Sequence, residues 1–242
     1  MTLTEEQCRA ARSAGILYLL MAVTAPFALI YVPSKLVVTG DATATADRFR
    51  AFETLARAGI GAELFHQVVA IFVVLALYRL FKSVNERHAV QVVVLGALVS
   101  VPIVFVNVLN EIAALALVGD AEFLSVIARP QRDALAYLFV RLHDRGLVVA
   151  SIFWGLWLFP LGMLAIRSRF LPRILGVLLI IAGVGYLASS TVLLVFPRFA
   201  DVVVPVASVL YFGELPFVFW LVVWGFRVRP SIAPAVEASA AH

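Results

Sequence analysis

Six runs of about 20 or more mostly apolar residues, at 14–32, 59–81, 89–118, 146–166, 172–196 and 202–226, decide what this chain can become. Each is long enough to cross the ~30 Å hydrocarbon core as a helix, the form that satisfies every backbone N–H and C=O within its own segment. The reading is an all-α, polytopic transmembrane helix bundle of six spans. Of 242 residues, 63% are hydrophobic and 14% charged, where a soluble domain carries about 25% charged residues. Six spans also leave no stretch for a second, soluble domain. The expected organisation is a cytoplasmic segment at 1–13, the bundle at 14–226 and a disordered tail at 227–242.

The formal net charge of +4 would invite a nucleic-acid reading in a soluble chain. Here the basic residues gather between the apolar runs instead. Arg79, Lys82 and Arg87 crowd one tight turn, and Arg167, Arg169 and Arg173 crowd another. On the other side, Lys and Arg are diluted over two long loops, 33–58 and 119–145, among acidic residues. The positive-inside rule then puts both termini in the cytoplasm, with a lipid bilayer as partner and no nucleic acid. The first run reads as an uncleaved span, because the A-x-A-like sites near residues 42–46 lie well beyond its apolar stretch. In the long loops, the mixed-charge stretch 47–53 and the helically spaced Leu135, Leu138, Phe139 and Leu142 read as surface-lying amphipathic helices.

Polar residues inside the runs are the candidates for function, because each costs insertion energy. Glu214 lies near the middle of the sixth run, where a charge costs about 2.5–3.5 kcal/mol. Gly213 and Pro216 flank it, and Pro216 lacks the N–H that would bond the Phe212 carbonyl, so a free acceptor is expected at the same depth. Glu63, His66 and Gln67 share one helix face by their i, i+3, i+4 spacing, and Asn107, Asn110 and Glu111 repeat it on the third run. His143 and Asp144, at the mouth of the fourth run, and Ser189, Ser190 and Thr191, high on the fifth, fall at the same outer level. A water-filled outer cavity with Glu214 at its floor would use all of them. The plainer alternative makes Glu63, Glu111 and Asp144 interfacial groups reaching to headgroups, and Glu214 a protonated interhelical hydrogen-bond partner. The binding set is therefore Glu214, Glu63, His66, Asn107, Asn110, Glu111, His143 and Ser190.

Glu63, His66, His143 and Asp144 carry the right atoms for zinc, but no His-Glu-x-x-His or similar spacing is present, so no metal site is assigned. The single cysteine, Cys8, supports neither a disulfide nor a redox pair. No nucleophile elbow or phosphate loop occurs. Trp154 with Trp157, and Trp220 with Trp224, have the spacing of helix packing or an interfacial belt, and no cofactor is expected.

The second half carries the most distinctive strings: Leu142-His143-Asp144-Arg145-Gly146, Phe153-Trp154-Gly155-Leu156-Trp157-Leu158, and Ser168-Arg169-Phe170-Leu171-Pro172-Arg173-Ile174-Leu175-Gly176. Gly213-Glu214-Leu215-Pro216-Phe217, then Trp220-Leu221, follow near the end, and Leu77-Tyr78-Arg79-Leu80-Phe81 and Asn107-Val108-Leu109-Asn110 precede. Together they resemble the domain-of-unknown-function 4386 (DUF4386) family of bacterial multi-pass membrane proteins over about residues 10–226. Pro216 is a departure from that pattern. The resemblance implies six spans and a bacterial membrane, and it implies no reaction.

Three functional readings follow. The midplane acid and the helix breaks favour binding or transport of a small solute or cation through an outward-facing polar cavity. The others are an assembly or stress-related membrane partner without chemistry, and a membrane-embedded lipid-modifying enzyme using His66 or His143.

Overall fold

The computed structural model describes residues 5–227, and all regular structure there is helical. Six helices cross the bundle: α1 (Glu5–Leu36), α3 (Glu53–Phe81), α4 (Glu86–Val118), α5 (Arg129–Arg167), α6 (Arg173–Leu194) and α7 (Pro197–Val223). A shorter helix, α2 (Ala42–Ala51), lies between α1 and α3. The crossing helices form a closed ring in chain order, in which α1 meets both α3 and α7. A Cβ at Gly15 would come within 2.9 Å of the Leu221 carbonyl oxygen, so the start of α1 and the finish of α7 share one end of the bundle. Glu6 is paired there with Lys82 of the α3–α4 turn at 2.9 Å.

Helix ends differ from the hydropathy reading because backbone hydrogen bonding does not stop where apolar residues stop. The segment 1–13 is helical from Glu5, and Cys8, Ala10 and Ala11 are buried in the bundle. The expected separate surface helix at 135–142 is instead the first part of α5, which spans 39 residues, about 58 Å at a rise of ~1.5 Å each. That length exceeds the hydrocarbon core. Of the expected tail at 227–242, Arg227 still belongs to the last helix, and residues 228–242 lie outside the described residues. Prolines mark the irregular turns. Wide π-helical turns at Phe27–Tyr31 and Val94–Val99 precede Pro33 and Pro102. The one-residue break at Trp157 precedes Pro160, which cannot bond the Leu156 carbonyl.

Two apolar clusters divide the interior. One, toward the end that carries Glu6 and Lys82, contains Leu77, Phe81, Leu158, Leu161, Phe217 and Leu221. The other lies under α2 and joins Leu36, Phe49, Ala56, Leu115, Ala136 and Val140. Buried Glu63, Gln67, Asn107 and His143 fall between them along their helices. The polar layer is thus sealed from the α2 side by a small apolar cap. The cap is fastened by Arg50, whose guanidinium pairs with buried Asp133 of α5 and also bonds the Val118 carbonyl at 3.1 Å and Asp47 at 2.9 Å. Burial opposes the Arg50 charge, but the hydrogen bonds to Asp133 and Asp47 outweigh it and hold its pKa above the ordinary arginine value.

Candidate functional site

The polar layer is assembled from three helices. On α3, one helical turn aligns Glu63, His66 and Gln67, as the spacing predicts; Glu63 and Gln67 are buried and His66 half-buried. From α4, Asn107 crosses to α5 and donates its amide N–H to the His143 carbonyl at 3.0 Å. Gly146 makes that crossing feasible. Its missing side chain is where the Asn107 amide sits, and a Cβ there would collide with Asn107 Oδ1. Asn110 in turn donates to the backbone and side-chain oxygens of Asn107, each at 3.1 Å, which fixes the amide orientation.

His143, held by its backbone in this way, lies between two carboxylates. Its Nε2 is 3.2 Å from Glu63 Oε2, and its Nδ1 is 3.8 Å from Glu111 Oε1. The side chains of Glu63, His143 and Glu111 are 3%, 8% and 19% exposed, so bulk water does little to screen them. One potential ligand atom from each lies within 4.8 Å of the others. The second carboxylate oxygen of Glu111, Oε2, is buried without a hydrogen-bond partner. Leaving such an atom unpaired typically costs about 1–3 kcal/mol. Asp144 pairs with Arg141 at 3.1 Å and remains near enough to His143 and Glu111 for its charge to act on both.

Beside Glu63, a small cavity is lined by His66 and Gln67, by Ala25, Ala28 and Leu29 of α1, and by Leu147 and Trp154 of α5. It offers about 10 Å³ to the centre of a water-sized sphere, room for one water and no more. His66 Nδ1 lies 3.0 Å from the Thr24 hydroxyl, whose own proton has the Leu20 carbonyl at 3.0 Å. A hydroxyl has one proton to donate. With that proton on the Leu20 carbonyl, His66 donates from Nδ1 and presents Nε2 as an acceptor; with it on Nδ1, the roles of the two ring nitrogens reverse. Thr24 escaped the sequence reading because a lone threonine in an apolar span ordinarily bonds its own helix, as this one also does.

Two expected members stand apart. Ser190 pairs with Ser151 at 2.7 Å and donates to the Tyr186 carbonyl. Ser151 is eight residues beyond His143, about 12 Å along α5. Glu214 lies deeper still, beside the Tyr186 hydroxyl and near Tyr18. Tyr186 approaches Gly155, twelve residues past His143, or about 18 Å. The cavity beside Glu63 has neither Tyr186 nor Glu214 in its lining. Nor is the Phe212 carbonyl free. The 3₁₀ turn Phe212–Glu214 tightens the chain, and the Leu215 N–H takes the acceptor that Pro216 leaves unbonded.

The surroundings of Glu214 lead to a specific expectation. Glu214→Leu should lower stability by about 0.6 kcal/mol, and by no more than about 2 kcal/mol, through loss of a hydrogen bond between α6 and α7. Glu214→Gln should remain close to the parent. Melting temperatures in one detergent compare the two, and equal losses would show that the hydrogen bond is not what Glu214 contributes.

Comparison with known proteins places the chain. It is 35% identical over 82 residues to a protein of Archaeoglobus fulgidus (strain ATCC 49558 / DSM 4304 / JCM 9628 / NBRC 100126 / VC-16) described as an uncharacterized protein, a match covering 34% of this chain and 48% of the relative. The chain thus spans about half the length of that curated relative. No solved structure matches it. Residues 13–225, most of the chain and all three helices that build the polar layer, match the family described as Domain of unknown function (DUF4386). With so much of its length matched, this multi-pass membrane protein belongs to the DUF4386 family.

Proposed function

We propose that this protein binds a cation in the half of the bundle that faces away from the cytoplasm, with Glu63, Glu111 and His143 as the binding groups. The observation that carries this reading is the convergence of two carboxylates and an imidazole from three helices within 4.8 Å, with the Oε2 atom of Glu111 left unpaired. A cation held between the two carboxylates stabilises the ionised form of both and gives the unpaired Oε2 atom a partner. Binding is favoured over passage. The adjoining cavity holds one water, the apolar cluster under α2 closes the near end, and Glu214 is separated from the site by about 18 Å of helix rise.

Protein purified in detergent should bind one cation per chain, measured by equilibrium dialysis against a panel of sodium, calcium and zinc salts. Saturation at about 100 times Kd should stabilise the fold by about 2.7 kcal/mol, visible as a rise in melting temperature. Glu111→Gln should abolish both signals. A panel without any saturable, Glu111-dependent binding removes the reading.

We also place the chain in a plasma membrane, with both termini cytoplasmic and α2 outside, an orientation that the basic turns support. Thr43 and Gln131 are exposed at the α2 end, and Ser83 is exposed at the opposite end. In a Cys8→Ser background, cysteines at positions 43 and 131 should react with an impermeant thiol reagent in intact cells while one at position 83 stays protected. The reverse pattern inverts the topology.

A further inference from the structure

We infer that the bound ion is a four-coordinate divalent transition-metal ion of the zinc type, held by Glu63, Glu111 and His143 and by one water seated in the cavity that His66 lines. This rests on the cation reading above and specifies which cation. Charge is the first argument. Two ionised carboxylates and a neutral imidazole carry two negative charges, which a dication cancels and a monovalent ion halves; in a poorly solvated site the difference is decisive.

Coordination number is the second argument. Calcium takes six to eight oxygen ligands, and magnesium keeps several waters in an octahedron. Three side chains converge here, and the cavity on the far side of Glu63, which neither Glu111 nor His143 lines, has about 10 Å³, space for a single water. Three protein ligands plus one water is the tetrahedral set of an open zinc site. Two ligands about 2.0–2.1 Å from one tetrahedral zinc lie about 3.3 Å apart. Glu63 Oε2 and His143 Nε2, at 3.2 Å, have that separation, whereas Glu111 Oε1 lies 3.8 Å from the other ring nitrogen, Nδ1, so Glu111 must swing toward Nε2 as the ion enters. A nitrogen ligand also selects zinc, iron, cobalt or nickel over the hard alkaline-earth ions.

His66 supplies the third argument. A water that gives a lone pair to a metal has only protons left to offer, so its neighbour must accept. In the tautomer in which His66 donates its Nδ1 proton to Thr24, its Nε2 is that acceptor, on a residue that lines the cavity together with Glu63. The arrangement places Thr24, His66 and the water in one donor-to-acceptor chain outside the metal ligands, the kind of outer contact that orients a metal site.

The test uses full-length protein purified without a histidine tag and loaded with Co²⁺, whose visible absorption is intense in four-coordinate sites and weak in six-coordinate ones. The expected result is one Co²⁺ per chain with the intense spectrum, displaced by one equivalent of Zn²⁺ and not by excess Ca²⁺ or Mg²⁺. Glu63→Gln should lose binding. His66→Leu should retain the site with affinity reduced about 10–100-fold, as for other outer-contact losses. Should Glu63→Gln fail to fold, Glu111→Cys in the Cys8→Ser background decides the matter, because a thiolate ligand adds a near-ultraviolet charge-transfer band to bound cobalt. A weak six-coordinate spectrum, no new band in Glu111→Cys, or displacement by Ca²⁺ overturns the zinc-type assignment. If sodium or calcium still binds in a Glu111-dependent manner, the cation reading survives that loss. If no cation binds, both fall.

Discussion

Replacing Arg50 by alanine is expected to destabilise the protein by about 3 kcal/mol, the lower part of the range for breaking a buried pair by removing one partner. Asp133 is the reason. Its side chain is 3% exposed, and Arg50 is its ion-pair partner, so truncation strands a carboxylate beneath α2. The Val118 carbonyl loses a hydrogen bond at the same time. The lower part of the range applies because the Arg50 side chain is 24% exposed and water reaches one side of the pair. Equilibrium unfolding in mixed micelles measures the total, and hydrogen exchange over Ala42–Ala51 shows whether the cap loosens first. Arg50→Met combined with Asp133→Leu should cost far less, since no charge is left unpaired. Arg129→Ala, which breaks only the exposed pair with Asp47, should cost under about 1 kcal/mol. A loss of similar size in Arg129→Ala would mean that the cap is held by general charge and not by the buried pair.

Gly176→Leu should be comparably damaging, about 3 kcal/mol, near the top of the usual range for overpacking. The backbones of α5 and α6 touch at two glycine pairs, Gly162 with Gly176 and Gly155 with Gly183. A Cβ at position 176 runs into the Gly162 carbonyl oxygen, and a backbone atom cannot swing aside as a side-chain tip can. The helices must separate, and close contact is what associates helices in lipid, where hydrophobic burial adds little. Gly61→Ala is the control. It sits on α3 with nothing within 4 Å of the added Cβ, so it should be neutral or stabilising by up to about 1 kcal/mol through helix propensity. Thermal unfolding of both variants decides; a tolerated Gly176→Leu would require a looser α5–α6 contact than the one described.

The polar layer shows how far residue spacing reaches. Glu63 with Gln67, and Asn107 with Glu111, were legible as aligned pairs, because a helix repeats its face every three to four residues whatever surrounds it. The ligand grouping was not legible. Glu63, Glu111 and His143 are 48 and 32 residues apart and come from three helices, so no linear pattern resembles a metal motif. Asp144 and Glu111 are equally acidic in sequence, yet Asp144 is paired with Arg141 while Glu111 faces the His143 ring. Glu214 has the strongest signature in the chain, a lone acid between Gly213 and Pro216. Its partner Tyr186 belongs to α6, which the break in α7 does not identify.

Six apolar runs of spanning length were sufficient to specify a six-helix membrane bundle, because a backbone in hydrocarbon has to satisfy its own hydrogen bonds and does so within each run. Family membership was equally legible, since it is carried by strings of adjacent residues. Where helices end, which polar faces meet and which acid finds a partner were settled by the packed molecule. Helical hydrogen bonding continues through polar residues, which carries α5 back to Arg129. Helix register and rotation depend on small contacts, such as Gly146 beneath Asn107 and Gly176 against Gly162, that hydropathy does not record. Distances between side chains on different helices exist only once those contacts have closed.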